Sequence, residues 1–133
     1  MNNKILIVSA NYYKEISKNL ELGATNILKE NNYEYEVINA PGCFEIPYLI
    51  KKNIGDFRGF ISLGCIIKGE TYHFEVIANE TSRKIMDLSI EFNIPIGFGI
   101  LSCYDMDQAI IRSDINKKNK GQEAALACIQ LMK

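Results

Sequence analysis

The sequence predicts an α/β fold, a three-layer α/β/α sandwich around a four-stranded parallel sheet. Four short strand-like runs begin near Lys4, Tyr35, Phe60 and Pro95, and each is followed by a stretch with helical spacing. That alternation calls for parallel strands with helices on both faces, because a helical crossover returns the chain to the same end of the sheet. The 133 residues suit one domain, 1–133, with a sizeable core and no room for a second.

Lys4 to Ser9 is a continuous run of β-branched and Leu residues, the pattern of a strand buried on both faces. It leads into Ala10-Asn11-Tyr12-Tyr13, a polar and aromatic loop at its carboxyl end. From Glu15 to Asn31 a helix carries Ile16, Leu20, Ala24, Ile27 and Leu28 on one stripe, and Asn31-Asn32 stops it. Tyr35 to Asn39 is a second strand, closed by Ala40-Pro41-Gly42. Between Cys43 and Lys52, Ile46, Leu49 and Ile50 have helical spacing, and Pro47 is tolerated in a first turn. Gly55 to Gly59 turns the chain into the third strand, Phe60 to Ile66. A helix from about Thr71 to Phe92 follows and ends at Asn93-Ile94-Pro95. Pro95 to Leu101 is the fourth strand, whose Gly97 and Gly99 let something approach closely. Asp105 to Arg112 and about Lys118 to Met132 are helical, with a break at 113–117.

The chemistry centres on Leu63 to Glu75. An apolar strand meets Gly64, Gly69 and a short polar turn, and then the helical pattern opens. This arrangement aims backbone N–H groups and the positive end of a helix dipole at one spot, a ready anion site. His73, the only histidine, lies in that first helical turn, so a proton shuttle stands beside an anion pocket. Gly64-x4-Gly69-Glu70-Thr71 has P-loop spacing, but Glu70 occupies the lysine position and argues against a nucleoside triphosphate. A single phosphate held by backbone N–H groups and an arginine fits the same turn. Ligands of doubly wound sheets bind beyond the strands' carboxyl ends. Those ends carry Asn11-Tyr12, Pro41 to Glu45, the Lys68 to His73 turn and Ser102-Cys103.

Composition narrows the classes. A net charge of −1 without a basic block gives no reason to expect nucleic acid or an anionic membrane as partner. No apolar run reaches membrane-spanning length. Met1-Asn2-Asn3-Lys4 enters a strand with no signal-peptide layout, so a cytoplasmic location is expected. Cys43, Cys65, Cys103 and Cys128 are widely spaced with no C-x-x-C pair. They read as small buried hydrophobes in a reducing compartment, and no metal site is expected. A magnesium-dependent receiver would want clustered carboxylates where Ser9-Ala10-Asn11 stands, and a dinucleotide enzyme would want G-x-G-x-x-G there.

Five segments carry a family resemblance. They are Pro41-Gly42-Cys43-Phe44-Glu45-Ile46-Pro47 (PGAFEIP in the family), Leu63 to Phe74, Phe98-Gly99-Ile100-Leu101, Gln108-Ala109 with Arg112, and Asn119-Lys120-Gly121-x-Glu123-Ala124-Ala125. In this order and spacing, from Ile5 to Met132, the chain resembles the 6,7-dimethyl-8-ribityllumazine synthases of riboflavin biosynthesis. The resemblance implies a flavodoxin-like sheet and a transferase that joins 5-amino-6-(D-ribitylamino)uracil to 3,4-dihydroxy-2-butanone 4-phosphate. Phosphate and water leave, through an imine and then ring closure, with no metal or organic cofactor. Position by position, His73 matches the proton-transfer residue, Gly69, Glu70 and Thr71 the phosphate-binding turn, and Arg112 the arginine that pairs with that phosphate. Tyr12 falls where the family stacks an aromatic on the pyrimidine ring. Cys43, Phe44 and Glu45 match the loop holding the ribityl chain, with Glu45 accepting from its hydroxyls. Cys65, Ile66 and Ile67 match the strand end whose backbone reads the pyrimidine edge. Phe98, Arg112 and Lys120 look like residues reaching the site from a neighbouring subunit, which implies a homopentamer with sites between subunits.

Residue chemistry alone leaves these positions open. His73 reads first as a helix cap or surface residue, Arg112 as a dipole partner, Phe98 as core, Glu45 as a helix-start charge and Lys120 as part of a solvated helix start. The register in the family pattern is what assigns them. The chain also departs from that pattern. Asn11 stands where the family usually has Arg, and Ile111 where many members carry an acid. Residues 113–117 lack the glycines common in members that build sixty-subunit shells, and the start of the sequence gives no reason to expect the extra first strand that members often lend to a neighbour. A pentamer or a pair of pentamers is therefore expected rather than an icosahedral capsid. The competing reading is a non-catalytic shell of the same fold that binds flavin or lumazine by ring stacking alone.

Overall fold

A computed structural model describes residues 3–133; Met1 and Asn2, part of the start read as leader-free, lie outside the described residues. Two central strands set the architecture. β1 (Ile5–Ala10) is buried at every position, and β3 (Gly59–Ile67) at all but the last. β2 (Tyr35–Ala40) and β4 (Ile96–Cys103) form the edges, and all pairings are parallel in the order β2-β1-β3-β4. This is the predicted doubly wound sheet, with the strand order of flavodoxin-like folds. Alternate residues explain the unbroken apolar run of β1. Ile5 and Ile7 enter one core layer, while Leu6 and Val8 enter the other.

Helices α1 (Lys14–Glu30), α4 (Met106–Ser113) and α5 (Lys120–Met132) contribute to the first layer. Helices α2 (Ile46–Lys52) and α3 (His73–Phe92) contribute to the second. All five residues of the predicted α1 stripe are buried. In α2, Ile46 and Ile50 are buried and Leu49 packs half-buried beside them. Several element ends shift by a residue or two from expectation, and three of the differences are informative. A single 3-10 turn, Cys43–Glu45, precedes α2. β4 runs two residues further, because Ser102 and Cys103 pair with Ile66 and Ile67. α3 opens at His73 rather than Thr71 and closes on Asn93, which adopts the left-handed conformation (φ 52°, ψ 51°).

Gly97 marks where a helix approaches. A Cβ there would fall on the Ala124 carbonyl oxygen of α5. Side chains elsewhere hold a helix several ångströms off a sheet; here Gly97 lets the α5 backbone rest on β4 itself. The buried Ala124 and Ala125 keep α5 equally slim towards the core. Two core hydroxyls are paired with strand carbonyls: Ser62 Oγ donates to the Gly97 carbonyl at 3.2 Å, and Ser17 Oγ to the Ala10 carbonyl at 2.6 Å.

All four cysteines are free thiols, and all four are buried, in keeping with the apolar runs in or beside which they lie. Burial pushes the Cys43 thiol up to about 11 and those of Cys65 and Cys128 up to about 12.

Gly97→Ala should destabilise the fold by about 1–3 kcal/mol or more through overpacking, read as a lower urea midpoint. Gly69→Ala, whose new methyl meets nothing within 4 Å, should stay within about 1 kcal/mol of wild type. The raised thiol values also set a pH dependence. The unfolded chain releases these protons near 9.0, whereas the folded chain keeps them. Their contribution is therefore whole below that value and lost as pH rises through the folded values. The urea midpoint should fall between about pH 9 and 11, and less steeply in Cys128→Ala than in wild type.

Candidate active site

Parallel pairing brings the carboxyl ends of the strands to one side, and a cavity of about 600 Å³ opens there, a volume suited to a small-molecule ligand. Each wall comes from a different connection. The loop after β1 supplies Tyr12 and Tyr13, and the turn after β2 supplies Cys43, Phe44 and Glu45. The end of β3 supplies Cys65, Ile66 and Ile67, and the start of α3 supplies His73 and Ile77.

Local contacts fix these walls. Ser17 Oγ bonds the last carbonyl of β1, and Ser9 Oγ donates to Glu21 Oε2 at 2.6 Å, so α1 is drawn onto the strand end and the loop between them stays short. Cys43 sits directly over β3, where a Cβ on Gly64 would come within 2.7 Å of its Sγ. The turn before α3 is anchored by the Lys68 N–H, which donates to the Cys103 carbonyl at 2.9 Å. Lys68 Nζ also lies 3.5 Å from Glu75 Oε2 and 5.8 Å from the Tyr104 ring centroid. The His73 N–H donates to Thr71 Oγ1 at 3.3 Å, so one first-turn donor of α3 is already engaged.

Eight residues singled out from the sequence line this cavity: Tyr12, Cys43, Phe44, Glu45, Cys65, Ile66, Ile67 and His73. The others do not. Gly69, Glu70 and Thr71 lie in the exposed turn just before His73. Arg112, in the last turn of α4, donates from Nη1 to the Gln108 carbonyl of its own helix at 3.2 Å. Lys120, at the start of α5, pairs with Glu123 at 3.1 Å. Phe98 is 45% exposed on β4, in a separate depression of about 210 Å³ with Ile85 and Met86 of α3. It is neither core nor part of this chain's main cavity.

Sequence reasoning passed over Tyr13 and Ile77. Ile77 stands four residues after His73, so helical spacing places it on the same face. Tyr13 had no such signal, since the direction of a loop side chain follows from no periodicity.

The floor of the cavity is electrically quiet. Cys43 and Cys65 hold their protons well above neutrality, chiefly because burial disfavours the thiolate, so neither offers a nucleophile. Burial, reinforced by Tyr12, Cys65 and Cys43, likewise raises the Tyr13 phenol. Histidine is the side chain that exchanges protons near neutrality, and His73 is the only one in the chain. An aromatic surface, a carboxylate, a strand end and an imidazole around one volume can hold a planar ring with polar substituents and move protons on it.

Comparison with known proteins extends this reading over the whole chain. The family model described as 6,7-dimethyl-8-ribityllumazine synthase matches residues 2–133. A protein of that name from Bartonella bacilliformis is 41% identical over 140 positions, spanning 100% of this chain and 92% of the relative. Its namesake from Novosphingobium aromaticivorans is 43% identical, spanning 97% and 94% of the two chains. The one from Zymomonas mobilis is 42% identical, spanning 96% and 93%. Identity at this level, running the length of both partners and joined to an end-to-end family match, means that the chain belongs to the 6,7-dimethyl-8-ribityllumazine synthase family.

Proposed function

We propose that this chain condenses 5-amino-6-(D-ribitylamino)uracil with 3,4-dihydroxy-2-butanone 4-phosphate to 6,7-dimethyl-8-ribityllumazine, in the cytoplasm, with His73 as the proton shuttle. The observation that carries the reading is the single cavity in which Tyr12, Glu45, the β3 end and His73 meet. Tyr12 stacks on the pyrimidine ring, Glu45 accepts from the ribityl hydroxyls, and the backbone of Cys65 to Ile67 reads the ring edge.

The pyrimidine amine attacks the ketone carbonyl, and water leaves as the imine forms. A carbon-bound proton is then lost and the C–O bond to phosphate breaks. The second amine closes the ring, and another water leaves. His73 takes up and returns the protons of these steps. The N–H groups of Gly69, Glu70 and Thr71 hold the phosphate at the start of α3, where the helix dipole favours an anion, and Arg112 pairs with it. The scheme calls on no metal or organic cofactor.

Phe98, Arg112 and Lys120 stand outside this chain's own cavity, which supports a site completed by a neighbouring copy. Exposed apolar residues on α3 support the same arrangement: Met86, beside Phe98, is 64% exposed, and Ile90, one turn further along, is 76% exposed. We read the assembly as a homopentamer or a pair of them.

The test is to mix purified protein with both substrates and follow the lumazine by absorbance and fluorescence. Wild type should outpace the spontaneous reaction. His73→Ala should lower kcat by roughly 10- to 100-fold, at or below the lower range of general acid–base catalysis because the condensation also proceeds unaided. Arg112→Ala should raise KM for the butanone phosphate by at least about tenfold, the loss of a charge-assisted hydrogen bond. Mixing the two variants under subunit exchange should restore part of the activity, since some sites then draw an intact His73 from one copy and an intact Arg112 from the other. If wild type forms no product above the spontaneous rate yet binds riboflavin, the carrier reading replaces this one.

A further inference from the structure

We propose that Tyr13 is a positioning residue, which holds the exposed ring of Tyr12 at a set angle so that Tyr12 meets the ligand as a preformed flat surface. The proposal rests on the stacking role given to Tyr12 above.

Three observations carry it. Tyr13 occupies the N-cap position of α1 yet makes no side-chain cap bond. Ser, Thr, Asp or Asn is the usual choice there, because a short polar side chain satisfies a free N–H of the first turn. Two helices follow that rule, since Asp105 accepts from the Gln108 N–H at the start of α4 and Asn119 from the Gln122 N–H at the start of α5, whereas α2 and α3 open on Glu45 and Tyr72 without a side-chain cap bond. The three helices that break it, α1, α2 and α3, all open at the cavity, and local rules are broken most often at functional sites.

The second observation is the ring contact. The centroids of Tyr12 and Tyr13 are 4.9 Å apart with planes at 84°, the perpendicular arrangement that aromatic quadrupoles favour. The third is an asymmetry between the two. Tyr12 is 73% exposed, whereas Tyr13 is half-buried and packed on the core layer of β1, α1 and β3. Tyr13 is therefore the anchored ring and Tyr12 the held one. An exposed ring left free would lose rotamer freedom when a ligand stacks on it; one already fixed loses less, and affinity gains by the difference.

The test is a double-mutant cycle on the full-length assembled protein, with riboflavin as the probe and quenching of its fluorescence as the readout. Tyr13→Leu, which keeps an apolar side chain on the core, should weaken riboflavin binding by about three- to tenfold, the range that a perpendicular ring pair supports. Tyr13→Phe should stay within about twofold of wild type, because the ring and not the hydroxyl acts. In a Tyr12→Leu background, Tyr13→Leu should add less than about twofold, since no ring remains to be held. In turnover, Tyr13→Leu should raise KM for the pyrimidine substrate while kcat and the other KM stay level. An additive cycle, a Tyr13→Leu variant that binds like wild type, or a Tyr13→Phe variant as weak as Tyr13→Leu would each overturn the proposal. Binding and turnover separate the two readings. A wild type that binds riboflavin without forming product overturns the condensation and leaves the cycle readable. One with no affinity for riboflavin overturns the Tyr12 platform and the role of Tyr13 with it.

Discussion

A strand with apolar side chains on both faces must be covered on both faces, and β1 and β3 place that demand on the rest of the molecule. Their burial requires two helical layers, and two layers with short connections require every strand to run the same way. The carboxyl ends of the strands then share one edge. The loops that leave them meet there, so the site is a consequence of how the core is covered.

Close packing keeps those loops in register. The α5 backbone rests on Gly97 of β4, and the Lys68 N–H ties the turn before α3 to the last residue of β4. Ser9 and Ser17 tie α1 to the end of β1. Tyr12 and His73 thus project from elements fixed at several points, which is how a site on loops acquires a defined geometry. The protonated thiols of Cys43 and Cys65 add small volume to the floor without adding charge.

Much of this was legible in the residues. The continuous run of β1, the α1 stripe and the Asn93 stop are periodic or local signals, and each corresponds to what the fold shows. The departures are where pairing and direction depend on a distant partner. β4 extends through Ser102 and Cys103 because Ile66 and Ile67 lie alongside, not because those two residues favour a strand. Thr71 stays in the turn with its hydroxyl on the His73 N–H, so the helix opens two residues later than its pattern suggests. Gly97 and Gly99 announce a close neighbour, but nothing near them in the chain says that the neighbour is α5.

The sequence by itself determined the class of fold, the two-sided core and the family pattern in which His73, Tyr12 and Glu45 fall, because periodicity, turn residues and motif spacing are properties of short stretches. Only the tertiary structure decided which of the marked residues share a cavity. It placed Tyr13 and Ile77 inside and left Phe98, Arg112 and Lys120 outside this chain's own pocket. The physical reason is that a loop side chain takes its direction from where its flanking elements are clamped, and those clamps are contacts between residues far apart in the chain.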